Sequence, residues 1–293
     1  MQPQEKPNVN RGFESNHEAR ILAQAYERAC SGRGQEEIEM KDFVGVYGEE
    51  RVKKNIAEVE RLEELFAQRD NENQNETKKR AEVLEAIVAE QVELNLWFGP
   101  AVTTRKASRY DDYKNGVDII AHIERGGRKE HLALAIDVTH GEGSIDEKFH
   151  KIKQEIDTGT LTEIEYFEDS EGNRGPKKGV ARVVIGVGAR EVNELAELWV
   201  EGKKRALAVH PVQIQFLEEM EWQLEAFRDY ARALGSRVAI ADEYDKQLKI
   251  VREILSDPQK QALKQEADEL QDRTQNTIRR KSRVFKMRLV GKS

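Results

Sequence analysis

Two aspartates stand where the surrounding hydropathy leaves no place for them. Asp118 interrupts Gly116-Val117-Asp118-Ile119-Ile120, and Asp137 lies near the end of the otherwise apolar run from Leu132 to Val138. An ionised carboxylate costs several kcal/mol to bury unless it is paired or bound to a metal. If the two runs form a hairpin, both acids lie near the same end of adjacent strands. Two carboxylates with a main-chain carbonyl between them suit a hard divalent ion such as Mg2+. Such an ion activates water and stabilises charge on a phosphate. The plainer alternative makes one aspartate a turn cap and the other the start of the next loop. Glu90 is the third acid. Val83, Ile87, Glu90, Leu94 and Trp97 share one helical face, so a carboxylate interrupts an apolar stripe. Its plainer role is a stripe-edge residue whose head reaches water.

Positive charge gathers in two places. Arg105, Lys106 and Arg109 sit just upstream of Asp118 beside Tyr110, in Arg105-Lys106-Ala107-Ser108-Arg109-Tyr110. Such residues grip a phosphate backbone and stack on a base. Asp111 and Asp112 follow directly, and either repel phosphate or add a metal ligand; a solvated loop is the competing reading. At the C-terminal end no acid follows Asp272, while Arg273, Arg279, Arg280, Lys281, Arg283, Lys286, Arg288 and Lys292 supply eight positive charges. A basic arm of this kind binds nucleic-acid phosphates without sequence preference; a solubilising tail is its alternative. The net charge of −7 is therefore a body of −15 carrying an arm of +8.

The elements that must hold these residues follow from periodicity. Gly48–Arg69 repeats Val52, Ile56, Val59, Leu62 and Phe66 at steps of three and four, an amphipathic helix. Thr77–Trp97 is a second helix, ended by Gly99-Pro100. Residues 116–123 and 131–139 read as strands joined by Gly126-Gly127, a hairpin signal. Ile145–Ile156 is a helix, and residues 180–187 form another buried strand. A helix joining two buried strands implies a right-handed crossover. Beyond Arg190 only helices are expected: Arg190–Glu201, Pro211–Leu234, Ala239–Leu255 and Pro258–Arg280. The shorter helix Ala19–Ala29 should break at Ser31-Gly32-Arg33-Gly34. The expected division is a flexible lead over 1–16, a helical region over 17–75, an α/β core with helical cover over 76–238, and C-terminal helices with the basic tail over 239–293.

Composition excludes some classes outright. With 38% hydrophobic and 35% charged residues among 293, no run approaches the ~18–20 apolar residues of a membrane span. The opening residues lack an apolar signal core. Single Cys30 forms no internal disulfide, so a reducing, cytoplasmic setting is expected. The six histidines lack the paired spacing of a zinc site. Gly186-Val187-Gly188 lacks the third glycine of a dinucleotide loop, and His140 is better read as a turn residue than as a base.

A helix carrying an acid, a hairpin carrying Asp118 and Asp137, then a helix and a further strand resembles the PD-(D/E)XK nuclease superfamily, also called restriction-endonuclease-like. The resemblance covers about Thr77 to Gly188, just over a third of the chain. It implies an α/β mixed-sheet core and Mg2+- or Mn2+-dependent hydrolysis of nucleic-acid phosphodiesters, DNA ahead of RNA. Asp118, Asp137 and the carbonyl of Val138 would hold the metal, and Glu90 would assist. The family pattern places a lysine two residues after the second acid, and this chain has Thr139 there. Some members supply that lysine from the following helix, which makes Lys148 the substitute, ahead of Lys151 and Lys153. Without it, the fold would be kept for binding. The competing class is an interaction protein assembled, for example as a homodimer, through its long helices.

Overall fold

The computed structural model describes residues 9–68, 72–137, 143–270 and 272–290. Four helices come first: α1 (Val9–Glu36), the short α2 (Val44–Tyr47) after a 3-10 turn at Met40–Phe43, α3 (Glu49–Ala67) and α4 (Glu72–Asn95). The expected break at Ser31–Gly34 does not occur, and α1 runs through both glycines. A glycine costs a helix only ~1 kcal/mol, and Ile21, Leu22, Ala25 and Ala29 bury one face of this one.

Strand β1 (Val102–Lys106) leads through a π-helical turn at Asp111–Asn115 to the hairpin β2 (Ile119–Arg125) and β3 (Arg128–Asp137). Gly126 and Gly127 close the hairpin at φ 54° and 74°, the positive values that two-residue turns require. Then follow α5 (Gly143–Thr158), β4 (Thr162–Glu168) and β5 (Arg174–Gly186). The sheet order is β1-β2-β3-β5-β4. The first three strands are antiparallel, β3 and β5 are parallel with α5 in the crossover, and β4 returns antiparallel to β5. This is an α/β protein with a mixed five-stranded sheet. β1 and β4 are additional to the three strands anticipated; β4 carries a plain alternation in which Thr162, Ile164 and Tyr166 turn inward.

The chain ends in α6 (Ala189–Val200), α7 (Lys204–Ala208), α8 (Val212–Ala233), α9 (Val238–Leu255), α10 (Pro258–Ala262), α11 (Lys264–Glu269) and α12 (Arg273–Val290). The long helix expected from Pro258 is thus three helices, the first capped by Asp257, which accepts from the Gln259 N–H at 2.7 Å. Both helical ends join the central core. One hydrophobic cluster runs from Ile21 in α1 through Ile87 in α4, Ile152 in α5 and Phe216 in α8 to Ile278 and Phe285 in α12. The basic C-terminal segment is a docked helix, with the Phe285 ring 4.8 Å from Phe227 and 5.4 Å from Tyr230. A smaller cluster on the opposite sheet face holds Phe43, Val52, Val59, Ile120, Ala133 and Tyr166. The sheet curls toward that side, bringing Phe167 of β4 within 4.8 Å of His131 on β3.

β5 serves two neighbours in turn. Its first half pairs with β4 up to Val180, and its second half pairs with β3 from Ala181. Beyond Val180 its other edge is open, and α8 closes it with side chains. Gln223 accepts from the Val184 N–H (2.9 Å) and donates to the Val184 carbonyl (2.6 Å). Glu219 accepts from the Gly186 N–H (2.9 Å), and Gln215 donates to the Gly186 carbonyl (3.0 Å). Four helical residues rise about 6 Å, close to the two-residue step of a strand. Buried backbone polar groups demand such partners. No described helix is long and apolar enough to cross a membrane.

Candidate functional site

The π-helical turn between β1 and β2 is built on one carboxylate. Asp111 is fully buried and accepts from Ser108 Oγ (2.8 Å), Asn115 Nδ2 (2.7 Å), and the backbone N–H groups of Glu165 (2.7 Å) and Tyr166 (2.9 Å). It staples the turn to β4. From the other side, cations hold the carbonyls that precede Asp118. Lys151 Nζ donates to the Lys114 carbonyl at 3.0 Å, and Arg182, itself paired with Glu155 at 2.7 Å, donates to the Asn115 and Gly116 carbonyls. Gly116 takes φ 64°, and a side chain there would approach Lys151 Nζ and Arg182 Nη1. Burial, then the Arg182 charge, pulls the Lys151 ammonium down to about 8.

This scaffold delivers Asp112 and Asp118 to one place. The Asp112 carboxyl is hydrogen-bonded to that of Asp118, with Glu85 of α4 close by. Burial raises the pKa of Glu85, with Lys106 opposing and Asp118 adding to the rise. Lys106 Nζ lies 2.9 Å from Glu85 Oε2, and the charge of Lys148 on α5 also acts on Glu85. Part of Asp112 reaches solvent, yet its pKa is pushed well up, first by burial of the carboxyl and then by Asp118 and Glu85. Carboxyls crowded in this way hold protons until a cation replaces them.

Of the acids expected at a site, Asp118 is in this cluster and Glu90 is not. Glu90 turns to α1, where Arg28 binds both its oxygens at 3.1 and 3.2 Å while lying 4.1 Å over the Trp199 ring. The reason is the width of the buried face of α4: Val83, Ile87 and Trp97 are buried as expected, but Leu84, Val88 and Val92 are buried beside them, while Leu94 is 63% exposed. Glu85 was the legible alternative: Val88, Ala89 and Val92, three, four and seven residues later, are all buried. Asp137 closes β3, its backbone paired with Gly186. Its side chain, and Val138, Thr139 and His140 entirely, lie outside the described residues. Lys148 borders the cluster through Glu85, while Lys153 pairs with Asp157.

The cations expected to meet nucleic acid each have a partner within the protein. Arg105 pairs with Glu168 at 2.5 Å, Lys106 with Glu85, Arg109 with Glu63, and Lys281 with Asp146. Arg279 lies 4.8 Å over the Trp222 ring. Arg273, Arg279, Arg280 and Arg283 remain on the exposed side of α12. Tyr110 packs edge-on against Tyr166 at 5.6 Å, partly buried beside the smaller core.

Among the described residues no three histidine, cysteine or acidic side chains are arranged as a metal-holding group. No protein-family profile, curated protein or solved structure matches this chain.

Proposed function

We propose that this chain is a metal-dependent nuclease-like protein with a restriction-endonuclease-like core, hydrolysing phosphodiester bonds of nucleic acid, DNA ahead of RNA. The observation that carries the reading is the cluster of Asp112, Asp118 and Glu85, drawn together with Lys106 and Lys148 around it. An α4 acid and the residue entering β2 are the positions from which the resemblance expects two of its acids, with Glu85 now in the role first given to Glu90. Asp118 and Glu85, joined by Asp137 from the end of β3, would hold Mg2+ or Mn2+. Such an ion supplies an activated water and charge stabilisation at the phosphorus. Lys148 takes the place of the absent motif lysine, its ammonium set to stabilise charge on the scissile phosphate. Arg182 and Lys151 fix the turn that aims Asp118, a preorganised support of the kind that catalysis needs.

One feature favours the second reading, a nuclease fold kept for binding: Lys106 already supplies Glu85 with a counter-charge at 2.9 Å. Purified protein incubated with linear, circular and single-stranded DNA, and with RNA, in Mg2+ or Mn2+ separates the two. Metal-dependent cleavage abolished by Asp137→Ala supports hydrolysis. Binding without cleavage supports the second reading, and cleavage surviving Asp137→Ala overturns the site.

A further inference from the structure

The π-helical turn that carries Asp112, with Arg109 just before it, presents two cations, Arg109 and Lys114, toward α3. Each meets a glutamate there: Lys114 Nζ is 2.6 Å from Glu58 Oε1, and Arg109 is paired with Glu63. Arg61 adds a second hold on Glu58 at 2.9 and 3.0 Å, and Phe66 stacks on Tyr113 at 5.9 Å. Arg61 and Lys114 together pull the Glu58 pKa down to about 2, so this carboxylate is charged at any working pH. Glu58 and Glu63 are five residues apart on one helix, about 7.5 Å along its axis and about 140° around it, so each carboxylate meets a different one of the two cations.

From this we infer that Arg109 and Lys114 form two phosphate-binding positions beside the acid cluster, and that Glu58 and Glu63 of α3 occupy them as internal counter-charges that an incoming strand displaces. The inference rests on the nucleic-acid reading above and names the regulation of that site. The side chains of Arg109 and Lys114 are 52% and 36% exposed, so they reach an incoming strand without unfolding α3. Exposed ion pairs of this kind are weak, ~0–1 kcal/mol. A polyanion gains counterion release on binding, which two side-chain carboxylates do not offer. The glutamates therefore lower affinity without closing the surface.

The test compares Glu58→Gln/Glu63→Gln with the wild type and with Glu49→Gln/Glu50→Gln, which alters the far end of the same helix. Binding of a fluorescein-labelled oligonucleotide, single- and double-stranded, is followed by anisotropy across a salt series, and far-ultraviolet circular dichroism verifies folding. The guard variant should bind about tenfold more tightly at low salt. Its salt slope should steepen by about 1.4 to 1.8, the share of two added phosphate contacts. Adding Arg109→Ala/Lys114→Ala should erase the gain. Equal binding by the guard variant and the far-end control overturns the inference, as does a gain that survives loss of Arg109 and Lys114. Metal-dependent cleavage by the same proteins is read separately. A tighter guard variant that never cleaves sinks hydrolysis alone, and a cleaving wild type with a neutral guard variant sinks the inference alone.

Discussion

Replacing Asp112 with asparagine removes one carboxyl from a pair that shares a hydrogen bond with Asp118. Two like charges about 3 Å apart cost about 5 kcal/mol at an effective dielectric of 20. Asp112 is exposed, and screening there reduces the usable cost to about 1 kcal/mol or less. The sign follows from the raised pKa. The folded state holds the proton more tightly than the unfolded chain, so this group's stabilisation is present in acid and lost as pH climbs through the raised value. Asp112→Asn should therefore raise the melting temperature by about 1–3 °C near neutral pH. The gain should fade toward pH ~4, where the unfolded carboxyl also protonates. Mn2+ should stabilise the wild type through Asp118, Glu85 and Asp137, by up to about 2.7 kcal/mol at a hundredfold excess over its dissociation constant, and so raise its melting temperature. That response should be kept in Asp112→Asn, because the three proposed ligands remain. Melting followed by circular dichroism across pH, with and without Mn2+, is the assay. An Asp112→Asn protein that melts lower than the wild type at neutral pH refutes the crowding argument.

Two further outcomes test the surrounding structure. His122 and His131 face each other across β2 and β3, and burial pulls both down to about 4, so the stability they contribute as neutral rings is lost as pH falls from about 6.5 toward 4; replacing both with phenylalanine should flatten that acid limb in a pH series of denaturant melts. Gln223→Leu strips Val184 of both side-chain partners on the open edge of β5, and should cost about 2–5 kcal/mol in urea unfolding, whereas a cost below about 1 kcal/mol would contradict the edge-closing role of α8.

Much of this architecture is legible in the residues, and the losses have physical causes. The hairpin is marked by Gly126-Gly127 between two β-rich runs, and the crossover helix by Ile145, Phe149, Ile152 and Ile156. β4 has the alternation of a strand, but its inward positions include Thr162 and its partner begins in the polar stretch at Arg174. The buried face of α4 is wider than one stripe, and only packing against the sheet decides that Leu94 faces water and Glu85 the cluster. Asp111 and Asp112 are adjacent and chemically alike in the sequence. Three-dimensional pairing makes Asp111 a structural staple and places Asp112 among the crowded acids. The buried series Gln215, Glu219 and Gln223 was visible at steps of four, but its purpose depends on β4 ending where it does. Whole-chain charge concealed the same kind of local pairing: the cations nearest the site meet glutamates of the protein itself.

The most direct test compares cleavage of a labelled DNA strand in Mn2+ by the wild type, Glu85→Gln and Glu90→Gln. Both variants remove one charge from the same helix, yet only Glu85 lies with Asp118, while Glu90 serves Arg28. The account predicts a loss of at least about 10- to 100-fold in Glu85→Gln, the scale already seen when a group supporting a metal ligand is lost, and a rate within about twofold of wild type in Glu90→Gln. A Glu85→Gln protein that cleaves like the wild type, or cleavage that persists in excess chelator, contradicts it.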